Sequence, residues 1–165
     1  MVTAYVALGA NLGDTAAALR QALAAIRGLP FTQVGKVSGL YKTAALDSDA
    51  KAVPGADYLN AVVELQTSLT APALLGHLQQ IEQAAGRDRP YRNAPRTLDL
   101  DLLLYGSASM DSAGLTVPHP RMLQRAFVLV PLAEIAPDLV SAAQLKAVKH
   151  QVVERLQLSF GAIAL

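Results

Sequence analysis

The chain has 165 residues, of which 52% are hydrophobic and 16% charged, and this balance predicts one compact domain with a substantial core. Its formal net charge is +1, so no overall field favours nucleic acid or an anionic membrane as a partner. Cysteine is absent, which excludes disulfides, thiolate metal sites and cysteine nucleophiles. The N-terminus has no basic leader and no apolar run is long enough to span a membrane, so we expect a cytoplasmic protein.

The first predicted elements are a strand over 3–8 and a helix that begins near Thr15 and ends at Gly28. One apolar stripe with helical spacing consists of Leu19, Ala22, Leu23 and Ile26. The connecting turn, 9–14, contains two glycines. It lacks the Lys-Ser/Thr pair of a phosphate loop and the third glycine of a dinucleotide loop. We therefore expect a structural role for this turn, with Asn11 near a ligand.

Two further strands are predicted over 32–43 and 58–65, separated by a long irregular loop over 44–57. Such a loop is a lid or binding loop, or else flexible decoration. One face of the strand 58–65 carries Leu59, Ala61, Val63 and Leu65. The other face presents Tyr58 and Asn60, a planar ring beside an amide that both donates and accepts. This pair suits a flat, hydrogen-bonding heterocycle, although a core tyrosine beside a satisfied asparagine is the more common origin of such a pair.

A second helix is predicted from its cap, Thr70, to Gly86. Its apolar face consists of Leu74, Leu75, Leu78 and Ile81. Gln79 and Glu82 lie near its C-terminal end, facing an arginine-rich loop that follows. A strand over 98–105 comes next.

The rest of the chain predicts shorter elements. These are a polar connection over 106–114, a strand over 115–117, helical pieces over 122–127 and 130–135 broken by Pro131, and a last helix over 142–158. His119 lies between two prolines in a stiff turn, where a plain surface histidine is the usual reading. The main order, strand, helix, strand, strand, helix, strand, is the βαββαβ pattern of a ferredoxin-like sandwich. We predict an α+β fold with helices over one face of a largely antiparallel sheet, extra C-terminal helices and two long mobile loops.

The strand 98–105 carries the most informative pattern, because it is apolar except for Asp99 and Asp101. Period-two geometry sends both carboxylates to one face, where burial is costly unless a cation neutralises them. The loop just before the strand carries Arg87, Arg89, Arg92 and Arg96. Mg²⁺ typically takes one or two carboxylates and completes its shell with phosphate and water, and guanidiniums hold phosphate oxygens. The alternative is a set of salt bridges that only organises the loop.

Several motifs of the chain are similar to those of one family. The stretch 92–103, RNAPRTLDLDLL, matches the most specific motif of that family. Shorter similarities occur at 9–13, 58–61, 86–89, 117–119, 125–127 and 134–137, and none is found beyond about Ser141. The chain thus resembles the 6-hydroxymethyl-7,8-dihydropterin pyrophosphokinases (2-amino-4-hydroxy-6-hydroxymethyldihydropteridine diphosphokinases) of folate biosynthesis.

The resemblance implies transfer of the pyrophosphoryl group of ATP to the hydroxymethyl oxygen of the pterin, with release of AMP. It implies that Asp99 and Asp101 hold two Mg²⁺ ions and that Arg87 and Arg96 stabilise charge on the transferring group, which makes these four residues catalytic. The implied pterin-binding residues are Thr43, Leu46, Tyr58, Asn60, Asp99 and Phe127. The implied ATP-binding residues are Gln79, Glu82, Arg89, Arg96, Leu102, Thr116, His119 and Arg125.

The resemblance also implies a single pyrophosphokinase domain over 1–165. This domain would act as a monomer on ATP and the pterin and associate weakly with the next folate-pathway enzyme, with neither nucleic acid nor membrane as a partner. The loops 44–57 and 83–97 would close as lids after ATP binds and exclude water.

Four positions depart from the family pattern. Ala44 replaces a common proline, Asn93 a tryptophan, Ala94 a glycine and Gly114 an arginine that some members direct at ATP. We therefore expect changed loop behaviour around an intact reaction. Two rival functions fit the Asp-x-Asp pattern: a two-metal nucleotidyltransferase that releases pyrophosphate, and a regulatory domain that binds a small ligand without turnover.

Overall fold

The structure is a computed structural model that describes residues 1–11, 15–44, 57–86 and 98–157. Its strands are β1 (Val2–Asn11), β2 (Thr32–Val37), β3 (Tyr41–Thr43), β4 (Tyr58–Thr67), β5 (Asp99–Tyr105), β6 (Met110–Ser112), β7 (Leu115–Val117) and β8 (Glu154–Arg155). Its helices are α1 (Thr15–Arg27), α2 (Ala71–Gly86), α3 (Ala126–Ile135) and α4 (Ala142–Ala147), with 3₁₀ turns at Met122–Gln124 and Pro137–Leu139. No helix in the described ranges is both long and apolar enough to cross a bilayer.

Six strands form one sheet in which every pairing is antiparallel. The order is β5-β1-β4-β3-β8, and β2 pairs with β4 on the same edge as β3. Strands β6 and β7 form a separate hairpin. With β2 and β3 taken as one interrupted strand, this is the strand order of a ferredoxin-like sandwich, and the predicted α+β fold is confirmed.

One face of the sheet is covered by α1 and α2 and is filled by aliphatic side chains. The predicted α1 stripe is fully buried, and the inward residues of β4 are the predicted ones, Leu59, Ala61, Val63 and Leu65. Thr70 caps α2 as predicted, because its Oγ1 accepts a hydrogen bond from Ala73 N at 3.3 Å. Of the predicted α2 face, Leu74 and Leu78 are buried, and Ile81 packs against this core while partly exposed.

The opposite face of the sheet is covered by α3, so the helices are not confined to one side. Side chains of β1, β4 and β5 on this face form a second cluster with α3, among them Tyr5, Ala7, Val62 and Leu103. Helix α3 is apolar almost all round, as expected for a helix that the protein encloses. Its burial also explains why the predicted break at Pro131 is wrong. Pro131 lies inside a continuous helix and is itself buried, and packing outweighs the lost backbone bond.

The predicted strand over 32–43 is interrupted between β2 and β3. At the interruption Ser38 N still donates to Val62 O at 3.0 Å, while the Ser38 hydroxyl accepts the hydrogen bond from Val62 N at 2.9 Å, so a side chain replaces one backbone acceptor there. Gly39 N donates to the Glu134 carboxylate on α3, at 3.1 Å from each oxygen. Polar side chains thus satisfy the backbone where the strand bends.

Three other element boundaries differ from prediction. The helix predicted over 142–158 is wrong: α4 ends at Ala147, and β8 pairs with the edge of β3, whose unpaired backbone groups offer a template. The polar connection 106–114 contains β6, which pairs with the predicted strand 115–117. The turn predicted over 9–14 begins later, since β1 continues to Asn11, and 12–14 lie outside the described residues.

Candidate active site

The two acidic residues of β5 lie at the edge of the sheet and are both half-buried. The register pairs Asp99 with Gly9 and Asp101 with Ala7 on β1. Directly opposite residues of antiparallel strands share a face, so both carboxylates lie on the α3 side of the sheet. The leucines between and beside them, Leu98, Leu100 and Leu102, lie in the core beneath α1 and α2. This is the division that the period-two pattern predicts.

A polar row crosses the sheet from Asp99 through Gly9 and Asn60 to Tyr41, because these residues are paired in register. Neighbouring strands are about 4.8 Å apart, so the Asp99 and Asn60 backbones, two strands apart, are separated by roughly 10 Å. Between them lies Gly9, where an added Cβ would sit 3.2 Å from Asn60 Oδ1. The missing side chain leaves a gap between an amide and a carboxylate.

A second row on the same face joins Asn11, Tyr58 and Thr43. Asn60 is only 5% exposed, and its Nδ2 donates to Thr43 Oγ1 at 3.2 Å. This bond fixes the orientation of the Asn60 amide, so that its oxygen lies on the Gly9 side. The structure therefore brings together four of the predicted pterin-binding residues, Thr43, Tyr58, Asn60 and Asp99, on one face.

The first turn of α3 carries two further predicted side chains. Phe127 is half-buried and packs against the cluster beneath α3. The Arg125 guanidinium lies 5.4 Å from the centroid of the Phe127 ring, within the range of a cation–π contact. The stacked pair joins a residue assigned to ATP to a residue assigned to the pterin.

A cavity of about 260 Å³ adjoins the edge strand β5 and the β6–β7 hairpin. It is lined by Asp101 together with three predicted ATP-binding residues, Leu102, Thr116 and His119. Gly114 also lines it, and an added Cβ there would meet no atom within 4 Å. The position where some relatives carry an arginine is thus open space at the cavity.

The backbone of β5 holds His119 against the cavity. Leu103 forms a bulge in the pairing of β5 with β1, and its carbonyl accepts a hydrogen bond from His119 N at 2.9 Å. The ring Nδ1 accepts from Arg121 N at 3.1 Å, so the proton of the neutral ring lies on Nε2. Burial lowers the pKa of His119, which the Asp101 carboxylate opposes, while Arg125 and Arg121 add to the lowering. His119 therefore offers a neutral Nε2–H donor.

Glu82 has a more specific contact than its predicted role suggests. Its Oε2 accepts a hydrogen bond from Leu100 N at 3.0 Å, on the outer edge of β5 between the two aspartates. Gln79 is exposed on α2, one helical turn after Leu75, which lines the cavity. Leu46, Arg87, Arg89 and Arg96 lie outside the described residues, as do Asn93, Ala94 and most of the predicted lids.

Gly9 is absent from the predicted site residues, because the glycine pattern predicts a turn at this position. The signal that could have found it is the run of small residues, Ala7, Gly9 and Asn11, spaced two apart on a strand beside the Asp-x-Asp strand. Register, which a single sequence does not supply, is what places Gly9 between Asn60 and Asp99.

The carboxylates of Asp99 and Asp101 suit an Mg²⁺ ion that also binds phosphate oxygens better than they suit a metal ion whose ligands all come from the protein. Within the ranges that the structure describes, no three or more His, Cys, Asp or Glu side chains gather as a metal site. Two half-buried carboxylates on one strand face remain, and one or two carboxylates are what Mg²⁺ takes when phosphates and water complete its shell.

Comparison with known proteins identifies a family. The family model described as 7,8-dihydro-6-hydroxymethylpterin-pyrophosphokinase matches residues 5–137. A 2-amino-4-hydroxy-6-hydroxymethyldihydropteridine pyrophosphokinase of Bacillus subtilis is 44% identical over 140 residues, which are 85% of this chain and 81% of that protein. The protein of the same name from Haemophilus influenzae is 46% identical over 140 residues, 85% of each chain.

Solved structures give the same fold at lower identity. The HPPK-DHPS protein of Plasmodium falciparum superposes with a TM-score of 0.60 and 13% identity, over 84% of this chain and 40% of that chain. A second HPPK-DHPS structure, in complex with substrates, has a TM-score of 0.61 and 13% identity, over 98% of this chain and 42% of that chain. The extent of the family match and the identity to its bacterial members show that this chain belongs to the 7,8-dihydro-6-hydroxymethylpterin-pyrophosphokinase family.

Proposed function

We propose that the polar rows on the α3 side of the sheet, with the adjoining cavity, carry the family's reaction in this chain. The chain transfers the pyrophosphoryl group of ATP to hydroxymethyldihydropterin, a step of folate biosynthesis. The substrate hydroxyl oxygen attacks the β-phosphorus of ATP, the bond to the α-phosphate oxygen breaks, and AMP leaves. The observation that carries the residue assignment is the register that lines up Asp99, Gly9 and Asn60.

The pterin would lie between Asn60 and Asp99, over the gap at Gly9. Asn60 is fixed by Thr43, so its amide oxygen is oriented to accept from the heterocycle without a further ordering cost. Tyr58 and Phe127 offer aromatic rings to the flat ligand, and Thr43 is paired in register with Tyr58. Leu46 stays a predicted pterin contact outside the described residues. The width of the gap, about two strand spacings, suits a fused two-ring heterocycle.

ATP would occupy the cavity at the edge of β5. The neutral His119 Nε2–H and the Thr116 hydroxyl are donors there, and Leu102 supplies apolar contact. Glu82 holds the backbone of β5 and thereby keeps Asp99 and Asp101 at a fixed separation. Gln79, Arg89 and Arg125 stay as predicted nucleotide contacts.

Asp99 and Asp101 would hold two Mg²⁺ ions, which, when bound, offset phosphate charge and lower the pKa of the substrate hydroxyl. Through these ions, the two carboxylates would orient the phosphates against the pterin hydroxyl. Arg87 and Arg96 would hold the oxygens of the transferring group, where charge stabilisation is the main contribution of a protein to phosphoryl-type transfer. Three further predictions remain: that the chain is one domain over 1–165, that it acts as a monomer in the cytoplasm, and that it associates weakly with the next folate enzyme.

Product analysis tests the proposed function. The chain is incubated with ATP, Mg²⁺ and hydroxymethyl-dihydropterin, and AMP, ADP and pyrophosphate are quantified. We expect AMP in equal amount to the pterin diphosphate, and none without the pterin. Release of pyrophosphate instead would support the rival nucleotidyltransferase, and pterin binding without any product would support a regulatory domain.

A further inference from the structure

The segment 151–156 contacts both sides of the proposed pterin site, although it lies beyond the residues 5–137 that match the family. It follows α4 and runs from the start of α3 to the free edge of β3. Helix α3 carries Phe127, and β3 carries Thr43. This segment is therefore placed to fix the two elements relative to each other.

Gln151 makes the contact with α3. Its Oε1 accepts a hydrogen bond from Ala126 N at 2.9 Å, and its Nε2 donates to Gln124 O at 2.8 Å. One side-chain amide thus brackets Arg125, the residue that precedes the helix. The first N–H groups of a helix have no partner within it, and Arg125 makes no side-chain cap of its own. Gln151 supplies that cap from 25 residues away in sequence.

The following residues make the contact with β3. Leu156 N donates to Leu40 O at 2.9 Å, and Arg155 pairs in register with Tyr41. Arg155 Nη2 also lies 3.5 Å from Glu134 Oε2 on α3. Tyr41 donates to Glu134 Oε1 at 2.6 Å, which closes a polar bridge from β3 to α3. Glu134 belongs to the stretch 134–137, which resembles the family. None of the proposed reaction steps uses this stretch.

We propose that Gln151 is a positioning residue of the active site, which holds the first turn of α3 so that Arg125 and Phe127 face their substrates. The inference rests on the proposed function of these two side chains. Loss of the Gln151 amide frees the Ala126 N–H and the Gln124 carbonyl. The turn that carries Arg125 and Phe127 then loses two hydrogen bonds to a side chain from a distant segment of the chain.

Kinetics with three variants test the inference. Gln151→Ala should raise KM for both the pterin and ATP by roughly five- to tenfold, the effect of one or two lost neutral hydrogen bonds. Gln151→Glu keeps the acceptor at Ala126 N and loses the donor to Gln124 O, so the rise should be roughly two- to threefold. The matched control is Gln144→Ala, because Gln144 caps α4 through Ser141 N at 2.9 Å and its side chain makes this hydrogen bond within its own cap. It should lower the thermal midpoint as Gln151→Ala does, with unchanged KM values.

Hydrogen exchange supplies a readout that does not depend on turnover. Gln151→Ala should accelerate exchange of the Ala126 amide, whereas Gln144→Ala should leave it unchanged. Unaltered exchange at Ala126, unaltered KM values in Gln151→Ala, or equal KM increases in Gln144→Ala would each overturn the inference. Failure of the proposed function can be told apart from failure of the inference. In that case the wild-type protein releases no AMP, while Ala126 still exchanges faster in Gln151→Ala than in the wild type.

Discussion

The two faces of the sheet are built from the same strands, yet they differ in what they enclose. The face beneath α1 and α2 is mainly aliphatic, with residues such as Leu8, Leu65 and Leu78 at 1% exposure or less, and the buried Thr67 adds a polar group at the end of β4. The face beneath α3 is apolar in its middle, at Ala7, Val62 and Leu103, and is polar toward both ends, at Asp99 and Asn60 and at the hydrogen bond from Tyr5 to Glu64. A period-two strand can therefore support a core with alternate residues and present reactive groups with the residues between them. The chemistry that we propose lies at one end of this face, around Asp99 and Asn60.

The largest effect on AMP formation is expected when a carboxylate of the polar face is removed. Asp101→Asn keeps the side chain's shape and should reduce AMP formation by at least roughly 10³-fold, because the proposed Mg²⁺ ions lose a carboxylate ligand and no longer offset the phosphate charge as well. The thermal midpoint should stay close to that of the wild type, since Asp101 is half-buried outside the aliphatic core.

Asp138→Asn is the matched control, an exposed aspartate in the 3₁₀ turn after α3. It should turn over at the wild-type rate. Near-normal AMP formation by Asp101→Asn would sink the assignment of the carboxylate pair.

A core truncation on the other face should give the converse result. Leu78 is fully buried on α2, and Leu78→Ala should lower the free energy of unfolding by about 2–5 kcal/mol. The KM values of the folded fraction should not change, because Leu78 packs on the face opposite the polar rows. Chemical denaturation together with steady-state kinetics measures both quantities. A large KM change without loss of stability would mean that the two faces are not separable.

The gap in the polar row is tested by filling it. In Gly9→Ala the new methyl lies 3.2 Å from Asn60 Oδ1, an amide already fixed by Thr43. Crowding of this kind costs about 1–3 kcal/mol, so KM for the pterin should rise by roughly tenfold or more, with little change in KM for ATP.

Gly76→Ala is the control for that substitution. Its Cβ would meet no atom within 4 Å on α2, so it should be neutral in kinetics and slightly stabilising. A pterin KM that Gly9→Ala leaves unchanged would place the pterin elsewhere.

The smallest effect is expected at the cavity. Gly114→Arg introduces the arginine that the family resemblance leads us to expect, and the open space at this position can receive it. A guanidinium beside the triphosphate should lower KM for ATP by roughly three- to tenfold, as a solvent-exposed charge-assisted contact would. Gly114→Gln, of similar length without the charge, should have less effect. An equal or higher KM for ATP in Gly114→Arg would show that the cavity does not hold the phosphates.

The sequence predicted most of the sheet and the faces of its strands, because alternation of apolar and polar residues is a local signal. The division between Asp99 and Leu100, and between Asn60 and Leu59, follows from it directly. What it could not predict depends on contacts between distant residues. Three such contacts are the pairing of β8 with β3, the hydrogen bond between Gln151 and Ala126, and the position of Gly9 between Asn60 and Asp99. Pro131 was misread for the same reason, since burial by the rest of the protein outweighs a local helix breaker.

Metal binding tests the central claim most directly, because Asp99 and Asp101 are proposed to hold the ions together with ATP. Mn²⁺ takes the same oxygen ligands as Mg²⁺, and its binding can be followed by electron paramagnetic resonance with a non-hydrolysable ATP analogue present. We predict two Mn²⁺ ions per chain in the wild type and in Asp138→Asn, and weaker binding of fewer ions in Asp101→Asn. Equal number and affinity of bound ions in Asp101→Asn would contradict the account.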